Sequence, residues 1–190
     1  MLYIDAEQSF LQGAIESFGQ QLTHTYNQGE RVTIMNGFQN YLTRMKHVIP
    51  MEVHASRVFN FNLGVKLIRG AYMNEERELA ASQGSTSPVW ASIEQTHECY
   101  DTNLAHVISH MTPADQILVA SHNQHSVEVA KTAMAENYRL RHAQERVSFG
   151  QLMGFSDNVT GGLRNEGYKV FKYVPFGPTE QVMPYLVRRG

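Results

Sequence analysis

With 190 residues, 42 % of them hydrophobic, the chain has enough apolar material for a single core. Sixteen lysines and arginines against eighteen acids leave a net charge of −2, which gives no electrostatic case for nucleic acid or an anionic membrane as main partner. One cysteine, Cys99, excludes an internal disulfide and fits a reducing compartment, and no apolar run approaches the roughly 20 residues of a membrane span.

The amino-terminal stretch MLYIDAEQS opens directly on a strand, Leu2–Asp5, and carries acids, so it does not read as a targeting peptide. The following helix places Leu11, Ala14, Ile15, Phe18 and Leu22 on one face. Val32–Met35 reads as the second strand, and the helix after it carries Phe38, Tyr41, Leu42, Met45 and Ile49. The third strand, Leu63–Ile68, runs into Arg69-Gly70-Ala71-Tyr72. A charged segment and the loop Gln83–Pro88 lead to a long helix with Ile93, Tyr100, Leu104, Val107 and Met111. Ile117–Ala120 is the fourth strand, ending in Ser121-His122-Asn123, and its helix shows Val127, Ala130, Ala133, Met134 and Tyr138. Val147–Gly150 is the fifth, followed by Gln151-Leu152-Met153-Gly154, and Gly161-Gly162 reads as a turn.

The last strand, Lys169–Tyr173, reads as buried and is closed by the turn Pro175-Phe176-Gly177-Pro178. Thr179 is placed to cap a helix with Val182, Met183, Leu186 and Val187 at helical spacing, and Pro184 loosens or kinks it. This helix ends in Arg188-Arg189, two permanently charged forks suited to a carboxylate or phosphate. A solvated basic helix end has the same composition. Tyr173 and Tyr185 are positioned to converge with the arginines.

Alternation of strands and helices predicts a parallel sheet with helical crossovers. The polar constellations all fall at the carboxyl ends of strands, where barrel enzymes carry their chemistry. His106 with His110 and His122 with His125 are close pairs without an obvious third ligand, so no metal site is expected. No G-x-G-x-x-G follows a strand, which disfavours a Rossmann nucleotide domain.

Five ordered motifs carry a resemblance over the whole chain: Asp5-Ala6-Glu7, Lys66-Leu67-Ile68-Arg69-Gly70-Ala71-Tyr72, Ala120-Ser121-His122-Asn123, Phe149-Gly150-Gln151-Leu152-Met153-Gly154, and the Lys172–Pro178 turn with Tyr185-Leu186-Val187-Arg188-Arg189. Together they resemble the proline dehydrogenase family. The resemblance implies a (βα)8 TIM-like barrel, of which these six strands match strands three to eight. A barrel takes about 250 residues and eight strands, so residues 1–190 are expected to form a partial catalytic barrel domain with Leu2–Asp5 and Lys169–Tyr173 as open edges, and alone to aggregate, bind FAD poorly and oxidise little proline.

By the same resemblance the activity is FAD-dependent oxidation of L-proline to Δ1-pyrroline-5-carboxylate. Asp5, Lys66 and Tyr173 match catalytic positions. Leu152, Tyr185, Arg188 and Arg189 match the substrate site, with the arginine pair on the carboxylate. Asn36, Lys66, Arg69, Gly70, Ala71, Tyr72, Ser121, His122, Asn123 and Gln151 match flavin contacts. From the residues themselves, Asp5 and Asn123 are equally good helix caps and Leu152 is equally a core residue. The family's hydroxyproline-oxidising branch typically has serine where Tyr173 stands, so Tyr173 favours proline. The spellings FGQL and YVPFGP look like the eukaryotic branch. They imply a mitochondrial enzyme on the matrix side of the inner membrane that passes electrons to quinone or another acceptor, with peripheral membrane association of the full-length protein.

Overall fold

A computed structural model describes residues 1–141 and 144–187. Six parallel strands lie side by side in chain order: β1 Leu2–Ile4, β2 Ile34–Gln39, β3 Gly64–Ile68, β4 Gln116–Ala120, β5 Val147–Leu152 and β6 Lys169–Tyr173. They curl into half of a barrel. Helices cross between them: α1 Ser9–Tyr26, α2 Met45–Val58, α3 Met73–Ser82 and α4 Ile93–His110, α5 Gln124–Glu136, and α6 Asp157–Asn165. After β6 comes α7 Thr179–Val187.

Because strand side chains alternate between faces, the register sorts every residue onto one of two surfaces. Val65 and Leu67 of β3, Ile117 and Val119 of β4, and Val147 and Phe149 of β5 pack on Ile49, Leu104, Val107, Ile108, Ala130 and Leu163 in one continuous core. That is the helix face. The other parity holds Gly37, Lys66, Leu118, Ser148 and Lys169 in register across β2 to β6, with Ala120, Gly150 and Phe171 on the same side one step further along, and this is the concave face.

At the amino ends of the strands, buried polar side chains stitch loops together. Asp115, fully buried, accepts from the Leu63 and Thr112 amides at 2.6 and 2.7 Å and from Arg57 at 2.5 Å. Asn27, also fully buried, donates to the Ile34 and Asn62 carbonyls and accepts from the Thr33 and Ile34 amides. Filled bonding capacity of this kind marks a structural end of the sheet.

Several expected boundaries move. The second strand begins at Ile34 and runs to Gln39, so Phe38 is a strand residue and Tyr41 and Leu42 lie before α2. All six β2 residues are buried, and a strand covered on both faces lacks the alternation that announces one. On α1 the apolar stripe is turned outward: Leu11 and Phe18 are exposed, while Gln12, Gly19 and Thr23 face the sheet. Ile93 and Tyr138 are exposed too. Gly161 and Gly162 lie within α6, anchored by the buried Leu163, and do not form a turn. Thr179 is the first residue of α7, where the Pro178 carbonyl accepts from the Gln181 and Val182 amides.

The last strand is the open edge that six strands leave, and it is not buried: among the described residues β6 pairs with β5 alone, and Phe171 and Tyr173 are exposed. The other edge is β1, with Leu2 and Tyr3 exposed.

Candidate active site

The carboxyl ends of the strands carry an acid and two cations in a row. Asp5 follows β1 and shares the parity of Gly37 and Lys66, so its carboxylate lies on the concave face, where it forms an ion pair with the Lys66 ammonium. This pair reaches across β2, and the residue between is Gly37. A Cβ there would lie 3.1 Å from both the Ile4 carbonyl oxygen and the Ala6 nitrogen, so a glycine inside the strand lets the backbone that carries Asp5 approach β2 closely. The Asp5 side chain is 58 % exposed and that of Lys66 18 %, so the ammonium is the more enclosed partner. Lysine has three donors and the pair uses one.

Arg69 closes the end of β3. Its Nε donates to His97 Nδ1 at 2.9 Å, and its two terminal nitrogens donate to Ser121 Oγ at 2.7 Å and Ser126 Oγ at 2.8 Å. The guanidinium lies 4.2 Å over the ring of the fully buried Tyr100. Ser126 in turn donates to Asp101 at 2.5 Å. Burial pulls the Arg69 proton affinity below its ordinary value, with Tyr100 and Asp101 opposing. Burial first, then the Arg69 charge, lowers the His97 affinity as well; this keeps Nδ1 free to accept.

Gly70 has φ +142°, and a Cβ on it would meet the Tyr41 ring at 2.0 Å. The missing side chain therefore makes room for Tyr41, whose amide donates to the Arg69 carbonyl at 2.7 Å. Tyr72 follows Ala71 at the start of α3, and its hydroxyl donates to Glu7 at 2.6 Å. Glu76, one turn on and buried, accepts from the Ser9 amide at 2.5 Å and from the Ser9 hydroxyl. These bonds fasten α3 to the loop that carries Asp5.

Beyond β4, Ser121 also accepts from the Asn123 amide, and Asn123 caps α5 through the His125 and Ser126 amides. His122 Nε2 accepts from the Leu152 amide at 3.0 Å, and its ring stacks on Phe155. Burial, with Lys172 in second place, lowers the His122 proton affinity and so favours the accepting form. Gln151 has the helix-face parity; its amide donates to the Ser121 carbonyl and accepts from Thr160 of α6. Leu152 and Tyr173 pair in register on the concave face. Tyr173 meets Tyr185 with ring centroids 6.1 Å apart, as their spacing suggested. Arg188 and Arg189 lie outside the described residues.

Asn36 stands apart. It is in register with Val65 on the helix face, and its side chain is so close to Gly19 of α1 that a Cβ there would lie 2.5 Å from Asn36 Oδ1. A role on the concave face does not suit that position. The amide on the concave side is Gln39, in register with Ile68 and 1 % exposed, which sequence reasoning passed over. Its nitrogen donates to the Glu7 carbonyl at 2.6 Å, while its Oε1 is buried without a partner. An orphaned buried acceptor at a strand's carboxyl end is what a missing hydrogen-bond donor leaves behind. His97, Tyr100, Asp101 and Ser126 were also unforeseen, because contacts 25 to 57 residues apart leave no local pattern.

A sequence profile described as proline dehydrogenase matches residues 1–190. The chain belongs to the proline dehydrogenase family. Mitochondrial proline dehydrogenase 1 of Dictyostelium discoideum is 36 % identical over 193 residues, covering 99 % of this chain and 33 % of that protein. The human protein of the same name is 37 % identical over 191 residues, covering all of this chain and 32 % of its own length. A hydroxyproline dehydrogenase of Xenopus laevis is 35 % identical, covering 98 % of this chain and 40 % of that protein. The chain thus spans about a third of the length of the first two relatives. Among solved structures, proline utilization A from Bdellovibrio bacteriovorus superposes with a TM-score of 0.85 at 21 % identity, over 98 % of this chain and 19 % of that one; the likeness is one of fold.

Proposed function

We propose that this chain supplies the flavin and substrate face of an FAD-dependent oxidoreductase that converts L-proline to Δ1-pyrroline-5-carboxylate. The observation that carries the reading is that the Asp5–Lys66 pair and the Tyr173–Tyr185 pair share the concave side of one sheet, in a family that is flavin-dependent. A bound FAD would supply the hydride acceptor for oxidation at the ring carbon next to the proline nitrogen.

The residues fit such a cofactor. Gln39 Oε1 is a buried acceptor in want of a donor, which a flavin ring N–H supplies. Lys66 offers free ammonium donors to the electron-poor ring and is held in line by Asp5. Arg69, Gly70, Ala71 and Tyr72 shape the end of β3, with Arg69 braced by its neighbours and not free to swing. Ser121, His122 and Asn123 form the β4 end, along which the ribityl and phosphate portion would run. Asn123 and Gln151 act there through the backbone they fix.

Tyr173 and Tyr185 wall the proline ring and Leu152 gives it an apolar contact, while Arg188 and Arg189 hold its carboxylate in a bidentate fork. The protein's share is to position and to exclude water. Tyr173 occupies the side where a ring hydroxyl would stand, which supports proline over 4-hydroxyproline. The mitochondrial names of the relatives support a mitochondrial setting; the matrix side of the inner membrane and quinone as electron acceptor rest on the resemblance of FGQL and YVPFGP to the eukaryotic branch.

The test is a chimera in which residues 1–190 replace the matching segment of the human relative. A yellow protein that reduces a quinone analogue with L-proline, and does so less well with trans-4-hydroxyproline, is expected. A folded, flavin-loaded chimera inert toward both substrates would overturn the reading.

A further inference from the structure

On the outer surface, away from the concave face, a groove of about 320 Å³ opens between α2 and α4. Its walls include Lys46 and Pro50 of α2, Trp90 before α4, and Glu98, Cys99 and Thr102 of α4. The volume is at the small end of ligand pockets, ~300–1,000 Å³, which suits a molecule of amino-acid size better than a nucleotide. The floor is apolar in practice. Cys99 is buried, and burial pushes its thiol up and keeps it neutral. The amide of the buried Asn103 beside it is already spent on Asn40 and the Met45 carbonyl.

Three polar groups of the lining are unspent. The Trp90 indole N–H is buried and meets no acceptor in hydrogen-bond geometry; the Cys99 thiol is its sulfur neighbour. The Lys46 ammonium sits 5.8 Å from the Trp90 ring centroid. Glu98 carries the opposite charge from the facing helix. Neither Lys46 nor Glu98 is in an ion pair among the described residues. An unmet buried donor is a cost that a ligand acceptor removes. A donor and a cation together select a carboxylate, and the acid opposite selects an ammonium.

We infer that this groove binds a free α-amino acid with a flat apolar side chain. Its carboxylate lies on Lys46 and the Trp90 N–H, its ammonium on Glu98, and its side chain along Pro50, Thr102 and Cys99. A carboxylic acid without the amine would leave Glu98 facing an anion. An amine without the acid would leave the indole N–H unmet.

Trp90 is the chain's one tryptophan, so its emission reports on this groove alone. The experiment titrates the 190-residue chain with L-phenylalanine, 3-phenylpropionate and phenethylamine while following that emission. L-phenylalanine should give a saturable change with a half-saturation at least tenfold below those of the two truncated molecules. Lys46→Met and Glu98→Gln, both at exposed positions, should each raise it fivefold or more while leaving the thermal midpoint of the free protein in place. Lys66→Met, on the concave face, should leave the curve unmoved. A change that never saturates, equal half-saturation for all three molecules, indifference to both groove variants, or sensitivity to Lys66→Met would each overturn the assignment.

Discussion

Replacing Arg69 with methionine separates a structural brace from a free ligand-binding cation. The substitution removes three hydrogen bonds from a charged donor and the stacking on Tyr100. Hydrogen bonds to charged groups are worth ~1.5–3 kcal/mol each, and an unsatisfied buried partner adds to the loss. Two of the partners retain other bonds: Ser121 still accepts from the Asn123 amide, and Ser126 still donates to Asp101. Arg69 is also only partly buried, so the sum is discounted to about 2–4 kcal/mol, a large share of the ~5–15 kcal/mol that holds a domain. With a urea slope of ~2 kcal/mol/M, the unfolding midpoint followed by circular dichroism should fall by about 1–2 M. Lysine should recover only part of this, since an ammonium cannot serve three acceptors set in a guanidinium plane. In the methionine background, His97→Ala should cost less than it does alone, because its partner has gone. A midpoint that stays within ~0.3 M of the parent would mean that the brace carries no stability.

Lys66→Met should change stability by less than ~1 kcal/mol, because its partner Asp5 is largely exposed, yet weaken FAD about 10- to 100-fold in a flavin-fluorescence titration; equal affinity would remove Lys66 from the flavin site. In the chimera, Tyr173→Ser should shift preference toward trans-4-hydroxyproline by ~1–3 kcal/mol in the ratio of specificity constants, and no shift would count against Tyr173 over the ring. Burial pushes the Glu52 carboxyl above its ordinary value of 4.5, with Gln20 Nε2 donating to it at 3.1 Å and opposing the shift. Its folded form holds the proton more tightly, so its contribution is present below pH 4.5 and is lost as pH rises through the folded value. Glu52→Gln should therefore raise the thermal midpoint at pH 7 by about 2–4 °C, on the order of 1 kcal/mol, and leave it unmoved at pH 4; no gain at pH 7 refutes this. The two apolar edges should make the 190-residue chain self-associate, and lysine at Tyr3 and Phe171 should raise its monomer fraction in sedimentation; association insensitive to both would locate it elsewhere.

The number, order and parallel pairing of the strands were legible because each apolar run is short, β-branched and punctuated by a polar turn. What failed depends on neighbours. Lys169–Tyr173 has the composition of a buried strand, but six strands leave it an open edge, as their number implies, and with no partner beyond it among the described residues Phe171 and Tyr173 are exposed. The stripe from Leu11 to Leu22 has true helical spacing, but α1 seats Gly19 and Thr23 on β2, where small residues allow a close approach to Asn36. Helix α6 buries one side chain, Leu163, which is too little to give a periodic signal against two glycines.

At the site, legibility came down to parity. A motif names residues near a strand's end, but which of them face the ligand follows from whether they stand an even or odd number of positions from a reference. With the second strand expected to stop at Met35, Asn36 was the first residue of a loop and free to point anywhere. Once Ile34–Gln39 is a single strand, Asn36 is fixed to the side of Val65 and Gln39 to the side of Ile68. The same rule puts Gly37 level with Lys66 and lets the lysine cross to Asp5, 61 residues earlier in the chain. Neither glycine nor lysine carries that information by itself. It arises only when three strands are laid in register, so the spacing of charges along the sequence could name the pair's members but not bring them together.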